Sequence, residues 1–187
     1  MDSPISDYML EYKITKSDYL SHLLYSASHS KMLQKGRWKT RVRVPIVYIL
    51  GSFILWYLHL TGLAILFFIF GTLWYFIYPL WSKRYYIKYY QEVINENNKG
   101  NDDRPVLVRL NNEYIFTNAE AGEMKIKTKE INEIIELSDL ILLKMKNSSI
   151  IIPKKQISDL PALAGWLKQF SIELGINYKN DEKWVFK

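Results

Sequence analysis

The sequence predicts a membrane α+β protein: a two-helix transmembrane hairpin joined to a cytoplasmic antiparallel β-sheet domain that ends in a helix. Three observations carry this. Val44 to Ser82 is thirty-nine consecutive residues without one Asp, Glu, Lys or Arg. Basic residues crowd both flanks of that run, and beyond residue 105 short alternating segments give way to one helix-periodic stretch. The expected domains are residues 1–43 (strand, helix and basic collar), 44–82 (hairpin), 83–104 (juxtamembrane helix and linker) and 105–187 (β-domain with C-terminal helix).

The first segment opens with alternation at Leu10, Tyr12 and Ile14, which predicts a short strand. Thr15 and Asp18 then have the spacing of a capping box. The helix they open carries Tyr19, Leu20, Leu23, Leu24 and Ala27 along one side and should continue toward Lys31. His22 and His29, seven apart, share a side of it. With Asp18 they could share a metal, but without an i,i+4 pair or a third nearby ligand they read as surface histidines.

A spanning helix needs ~20 apolar residues, because ~30 Å of hydrocarbon is crossed at a rise of ~1.5 Å per residue. As one helix the uncharged run would measure about 58 Å. It is diluted in the middle by Tyr57-Leu58-His59-Leu60-Thr61-Gly62, so two short spans joined by a tight turn are expected. With Thr61 at the tip, Gly51-Ser52 and Gly71-Thr72 fall at matched depth, about 15 Å below it. Small residues let membrane helices approach closely, so these four are the predicted contact inside the hairpin, with packing against a second copy as the rival use. No Asp, Glu, Lys or Arg lies within a span, which disfavours ion and proton transport. Trp56 and Tyr57 toward one end, and Trp74, Tyr75, Tyr78 and Trp81 toward the other, suit interfacial aromatic belts. Pro79 should kink or end the second helix.

The net charge of +6 is concentrated beside this hairpin. Lys31, Lys35, Arg37, Lys39, Arg41 and Arg43 precede it, Lys83, Arg84 and Lys88 follow it, and no acid occurs between Asp18 and Glu92. The positive-inside tendency then puts both termini in the cytoplasm, as expected for a multi-pass membrane protein. These nine residues form a collar for anionic lipid headgroups, at ~1 kcal/mol each. Tyr85, Tyr86, Tyr89 and Tyr90 alternate with the last three bases on a juxtamembrane helix, so headgroup anchoring is favoured over nucleic acid. Zero cysteines remove disulfides, thiolate metal sites and thiol nucleophiles.

After a polar linker at 95–104, the strands Val106–Leu110 and Glu113–Asn118 flank a turn at Asn111-Asn112. A second turn at 119–123 leads to the alternating Met124–Lys129. Ile131–Leu137, Leu140–Lys146 and Ile150–Ile152 continue the meander, split at Ser138-Asp139 and Asn147-Ser148. Ser158-Asp159 then caps a helix with Pro161 in its first turn. Its buried stripe is Leu160, Leu163, Leu167, Phe170 and Leu174, and Gly175 terminates it.

Three stretches in this order resemble the YcxB-like family of bacterial membrane proteins: Glu11–Leu20 before the first helix, the apolar hairpin, and Ile150-Ile151-Ile152-Pro153-Lys154-Lys155 before the last. The chain departs from the family at Thr128-Lys129-Glu130, where an aromatic is common, and at Ile157, where a phenylalanine is. The resemblance implies a C-terminal domain similar to bacterial pleckstrin-homology-like domains, and it supplies architecture without chemistry. The meander offers too few strands for such a fold, so Leu10–Ile14 is expected to complete or edge the same sheet, making the hairpin an insertion. Lys125, Lys127 and Lys129 would share one strand face. With Lys154 and Lys155 they form a candidate ligand patch, weighed against a solvated face.

No glycine-rich phosphate loop and no catalytic His-x-x-Glu-His or Gly-x-Ser-x-Gly spacing is present, and Glu130, Glu133 and Glu136 read as an exposed face. A non-enzymatic role without cofactor is expected. The leading reading is an inner-membrane-anchored interaction module whose cytoplasmic domain binds a protein, a peptide or an anionic headgroup. The alternatives are an immunity protein against a membrane-active toxin and an accessory subunit of a membrane complex.

Overall fold

Strand β1 (Tyr8–Lys13) lies beside β2 (Pro105–Leu110), although more than ninety residues separate them. The pair is antiparallel, with Leu10 opposite Val108 and Tyr12 opposite Val106. The computed structural model describes residues 7–97, 105–119, 122–146 and 148–186. The turns expected at 119–123 and 147–148 and the linker at 95–104 fall partly outside these residues. Strands β3 (Tyr114–Ala119) and β4 (Gly122–Lys127) complete a four-stranded antiparallel sheet in the order β1-β2-β3-β4. The edge position expected for the N-terminal strand is therefore observed, while Ile14 lies just outside it.

The second sheet has the order β7-β6-β5-β8, from β5 (Ile131–Glu136), β6 (Leu140–Met145), β7 (Ser149–Pro153) and β8 (Asn177–Asn180). Its first three strands form the expected meander; β8 adds to β5 in parallel, Tyr178 opposite Ile134. A three-residue 3-10 turn at Thr128–Glu130 separates the sheets and ends β4 two residues earlier than the alternation predicts. Between β7 and β8 runs α4 (Leu160–Leu174). Asp159 caps it by accepting from the Ala162 N–H at 3.0 Å, and Gly175 ends it in the left-handed region at φ 64°. Its stripe closes one core: Leu163, Leu167 and Phe170 pack with Leu10 and Tyr12, with Val108, Leu110 and Ile115, and with Ile134, Ile141, Leu143 and Ile152. Both sheets and the helix thus share a single hydrophobic interior.

Residues 7–22 and 93–185 form this β-rich unit, and Leu23–Glu92 with the C-terminal residues forms a helical one. Helix α1 (Lys16–His29) starts at the predicted capping box: the Thr15 N–H donates to Asp18 Oδ2 at 2.9 Å, and the Asp18 N–H to Thr15 Oγ1 at 3.3 Å. It stops at Ser30, which caps α2 (Lys31–Tyr57) by accepting from the Leu33 N–H at 3.4 Å. The expected unbroken passage toward Lys31 is therefore interrupted by a second cap.

Helix α3 runs from Thr61 to Asn97 as one element. Pro79 neither ends it nor separates the apolar part from the juxtamembrane part. Among the described residues, α3 is the one helix long and apolar enough to cross a membrane, over Thr61–Glu96. The uncharged part of α2, Val44 to Tyr57, spans about 21 Å at the helical rise, less than a ~30 Å hydrocarbon core. The turn between the two is Leu58–Leu60, and His59, not Gly62, takes the left-handed conformation at φ 61°.

Candidate functional site

The turn at His59 sets the register of the helical pair, and the register differs from that expected. A Cβ on Gly71 would lie 3.0 Å from the Tyr48 Cβ and 3.4 Å from the Pro45 carbonyl oxygen, and one on Gly51 would lie 3.1 Å from the Phe67 ring. Each glycine faces the opposite helix, so the prediction of close approach holds, but the two glycines do not face each other. Pairing Tyr48 with Gly71 and Gly51 with Phe67 puts the tip between His59 and Leu60, not at Thr61. The left-handed residue turns the chain before Gly62 is reached. Thr72 turns its hydroxyl back to the Phe68 carbonyl at 2.9 Å, and Ser52 lines a groove with Phe53, Trp56, Ala64 and Phe68.

The six collar bases before the apolar run lie on α2, and Lys83, Arg84 and Lys88 lie on α3. Two arginines bridge the helices. Arg37 donates from Nε to Ser82 Oγ at 3.1 Å, with its guanidinium 5.5 Å from the centre of the Tyr86 ring. Arg41 donates from Nε to the Tyr75 carbonyl at 3.3 Å, with its guanidinium 4.2 Å over the Tyr75 ring. That carbonyl is the acceptor α3 leaves without its usual donor, because residue 79, four places on, is a proline with no N–H. The helix continues through Pro79 with an arginine in place of the missing amide. Trp81, Tyr85 and Tyr89 stack in sequence along α3, with ring centres 5.4 and 6.4 Å apart, and all three are exposed. Lys88 sits 3.9 Å from Glu92, a surface pair worth little.

The candidate ligand patch is divided by the fold. Lys125 and Lys127 lie on β4, the free edge of the first sheet, with the Lys125 ammonium 4.0 Å over the Tyr114 ring. Lys129 falls on the 3-10 turn, so it does not continue their strand face. Lys155 is exposed beyond β7. Lys154 is no part of a surface: it is 8% exposed and lies between two carboxylates, 2.9 Å from Glu136 Oε1 and 2.7 Å from Glu182 Oε1.

This buried cluster went unseen in the sequence. Glu136, read there as exposed, is 7% exposed and accepts a hydrogen bond from the Tyr178 hydroxyl at 2.6 Å. Burial pushes its carboxyl up, but the Tyr178 hydroxyl and the Lys154 ammonium outweigh this, and the net shift is downward. For Lys154 burial pushes down, yet Glu182 and Glu136 hold the ammonium above the ordinary lysine range. Burial and the hydrogen bond to Glu136 keep the Tyr178 hydroxyl protonated well above the usual tyrosine range. One ammonium sits between two carboxylates and donors meet acceptors, so the cluster is a clamp joining β5, β8 and the segments that follow β7 and β8. Of the other two acids read with Glu136, Glu133 is half-buried beside Lys144 at 3.9 Å and Glu130 is exposed.

The two α1 histidines have other neighbours than a metal. His22 is half-buried, and burial lowers its pKa. His29 packs its ring against Tyr25 at 4.2 Å, with Nδ1 3.0 Å from the Tyr25 carbonyl oxygen. Among the described residues, no group of three or more His, Asp or Glu is placed to hold a metal ion.

No curated protein and no solved structure matches the chain. Residues 110–164 match the model of a family described as YcxB-like protein. That stretch begins at the last residue of β2, takes in β3 to β7 and reaches into α4. This β-rich segment, which includes Ile150–Lys155 of the stretches that carried the resemblance, is similar to that family.

Proposed function

We propose that the protein is an inner-membrane-anchored interaction module, with α2 and α3 as a two-span hairpin, both termini in the cytoplasm, and a pleckstrin-homology-like domain that binds a partner there. The observation that carries this reading is the pairing of β1 with β2. The chain leaves one sheet at Lys13 and returns to its neighbouring strand at Pro105, so everything between is a loop with both ends on one side. The basic residues at the outer ends of α2 and α3 and the uncharged turn between them fit that topology. Two antiparallel meanders closed by α4 support the pleckstrin-homology-like assignment. The free β4 edge with Lys125 and Lys127 is the surface best suited to a protein, peptide or anionic headgroup. The reading includes no catalytic step.

The absence of cysteine makes the test direct. Leu60→Cys at the turn should react with a membrane-impermeant maleimide in intact cells, and Lys183→Cys only after permeabilisation. Labelling of neither in intact cells would mean that α2, with its short apolar half, dips into the bilayer without crossing it.

A further inference from the structure

The inner face of α2 holds charges that the inner face of a helix pair does not ordinarily hold. Pro45, Tyr48 and Gly51 mark the side of α2 turned toward α3, through the approaches to Gly71 and Phe67. Followed toward the N-terminus at helical spacing, that side continues through Arg41 and Trp38 to Lys35 and Lys31. There the two helices flank an open cleft of about 560 Å³, lined from α2 by Lys31, Gln34, Lys35, Arg37, Trp38 and Arg41 and from α3 by Tyr78 and Pro79. Four cations, Arg37 (which donates to Ser82 Oγ) among them, thus face a helix whose first acid is Glu92. Among the described residues Lys31 and Lys35 have no ion-pair partner, and Arg41 is held by a neutral carbonyl. Like charges gathered on one side of a cleft repel one another unless an anion sits among them.

The depth of the cleft says which kind of anion. It lies where both helices change character: Arg43 is the last base before the uncharged part of α2, and Lys83 the first after that of α3. Directly beside Pro79 the surface of α3 is apolar and exposed, with Phe76, Ile77 and Leu80 all more than half accessible. A molecule that fills the cleft with a negative group and lies along this surface must be charged at one end and oily at the other.

We infer that this cleft binds the phosphate of an anionic phospholipid, with Lys31, Lys35 and Arg41 around the phosphate, Trp38 and Tyr78 beside the headgroup and the acyl chains against α3. This rests on the membrane reading proposed above, and it turns a diffuse basic collar into one built site. Lys39 and Arg43, on other sides of α2, and Lys83, Arg84 and Lys88 on α3 do not line the cleft.

The full chain, purified in mild detergent from membranes supplemented with phosphatidylglycerol and phosphatidylcholine, is examined by native mass spectrometry. Wild type should retain phosphatidylglycerol over phosphatidylcholine. Lys31→Gln with Lys35→Gln should lower that retention roughly 10- to 30-fold, since each lysine contributes ~1 kcal/mol beside an anionic headgroup. Lys31→Arg with Lys35→Arg should restore it. The same loss of charge at Lys83 and Arg84 should leave retention within about twofold of wild type, because their field at the cleft is screened by salt. Equal loss in the two glutamine variants would overturn the site in favour of a diffuse collar. Displacement of the lipid by millimolar glycerol phosphate would overturn it in favour of a soluble phosphate ligand. Failure of the membrane reading is separate: wild type would then appear in the soluble fraction after alkaline extraction, whereas failure of the cleft leaves insertion intact and the variants alike.

Discussion

Lys154 shows how far one side chain can depart from what its letter suggests. A lysine after Ile-Ile-Ile-Pro reads as the start of a solvated turn, yet here it is the centre of a buried clamp with Glu136 and Glu182. Removing one carboxylate from such a clamp takes away one of the two charged partners of a buried ammonium and leaves the Tyr178 hydroxyl without its carboxylate acceptor. Glu136→Gln should therefore lower unfolding stability by about 1.5–3 kcal/mol near neutral pH, less than for an isolated pair because Glu182 remains. Its pH dependence has a definite sign. The folded-state pKa of Glu136 is depressed, so its contribution is fully present above the ordinary glutamate range and is lost as pH falls through the depressed value. Lys154 is shifted upward, so its contribution is present below the ordinary lysine pKa and lost only as pH rises through the raised one. Thermal melts of wild type and Glu136→Gln should lie well apart at neutral pH and converge only as the pH falls below the ordinary glutamate range. Parallel curves throughout would mean that the carboxylate contributes no charge to the clamp. None of this was legible beforehand, because Glu182 and Tyr178 come from a part of the chain without periodicity. Their partners are set by β8, a four-residue strand that exists only through its parallel pairing with β5.

At the scale of elements the sequence was more informative, wherever the signal was local. The Thr15–Asp18 box, the Asp159 cap, the Gly175 stop and the apolar stripe of α4 each depend on residues within a turn or two of one another. All four were found where they were expected. A helix end at Pro79 and a tip at Thr61 were not found, for the complementary reason: a neighbouring helix rescues the proline, and the turn uses His59, an unlikely residue, for its left-handed step. The Arg41 contact can be tested as a coupling. Arg41→Gln should destabilise the helix pair by about 1 kcal/mol in wild type. It should do so much less in a Pro79→Ala background, where an alanine N–H supplies the donor that the Tyr75 carbonyl lacks. Independent, additive effects in a detergent denaturation series would remove the proposed compensation. The close approach at Gly71 predicts a second outcome. Gly71→Leu puts side-chain atoms against the Tyr48 Cβ, which no rotamer of Tyr48 can move. The helices should be forced apart, which distance measurements between spin labels would register. Gly36→Ala, with open space around it, should instead leave the spacing unchanged and gain up to about 1 kcal/mol of helix propensity.

For the whole molecule the governing fact is that β1 precedes the helical insertion and β2 follows it. The sheet partnership was legible from a shortage of strands: the meander after residue 105 needed another, and only the alternating Leu10–Ile14 could provide it. The identity of any partner was not legible, because an edge strand bearing Lys125 and Lys127 reads equally as a binding surface and as protection against unwanted pairing. A chain lacking residues 1–13 should lose amide protection in β2 as well as β1, since Val108 and Leu110 would be uncovered together with the rest of the core. Hydrogen exchange by mass spectrometry reads this directly. Unchanged protection at β2 would make β1 an ornament rather than a structural strand.

That interrupted sheet also gives the cell a means of inspection. During synthesis β1 leaves the ribosome first and stays unpaired until β2 has emerged. On the two-span topology proposed above, an insertion that crossed once would leave β1 and β2 in different compartments and the first sheet without its outer strand. On that proposal correct insertion and a closed sheet are reached together, and an unpaired β2 edge marks the molecules that achieve only one.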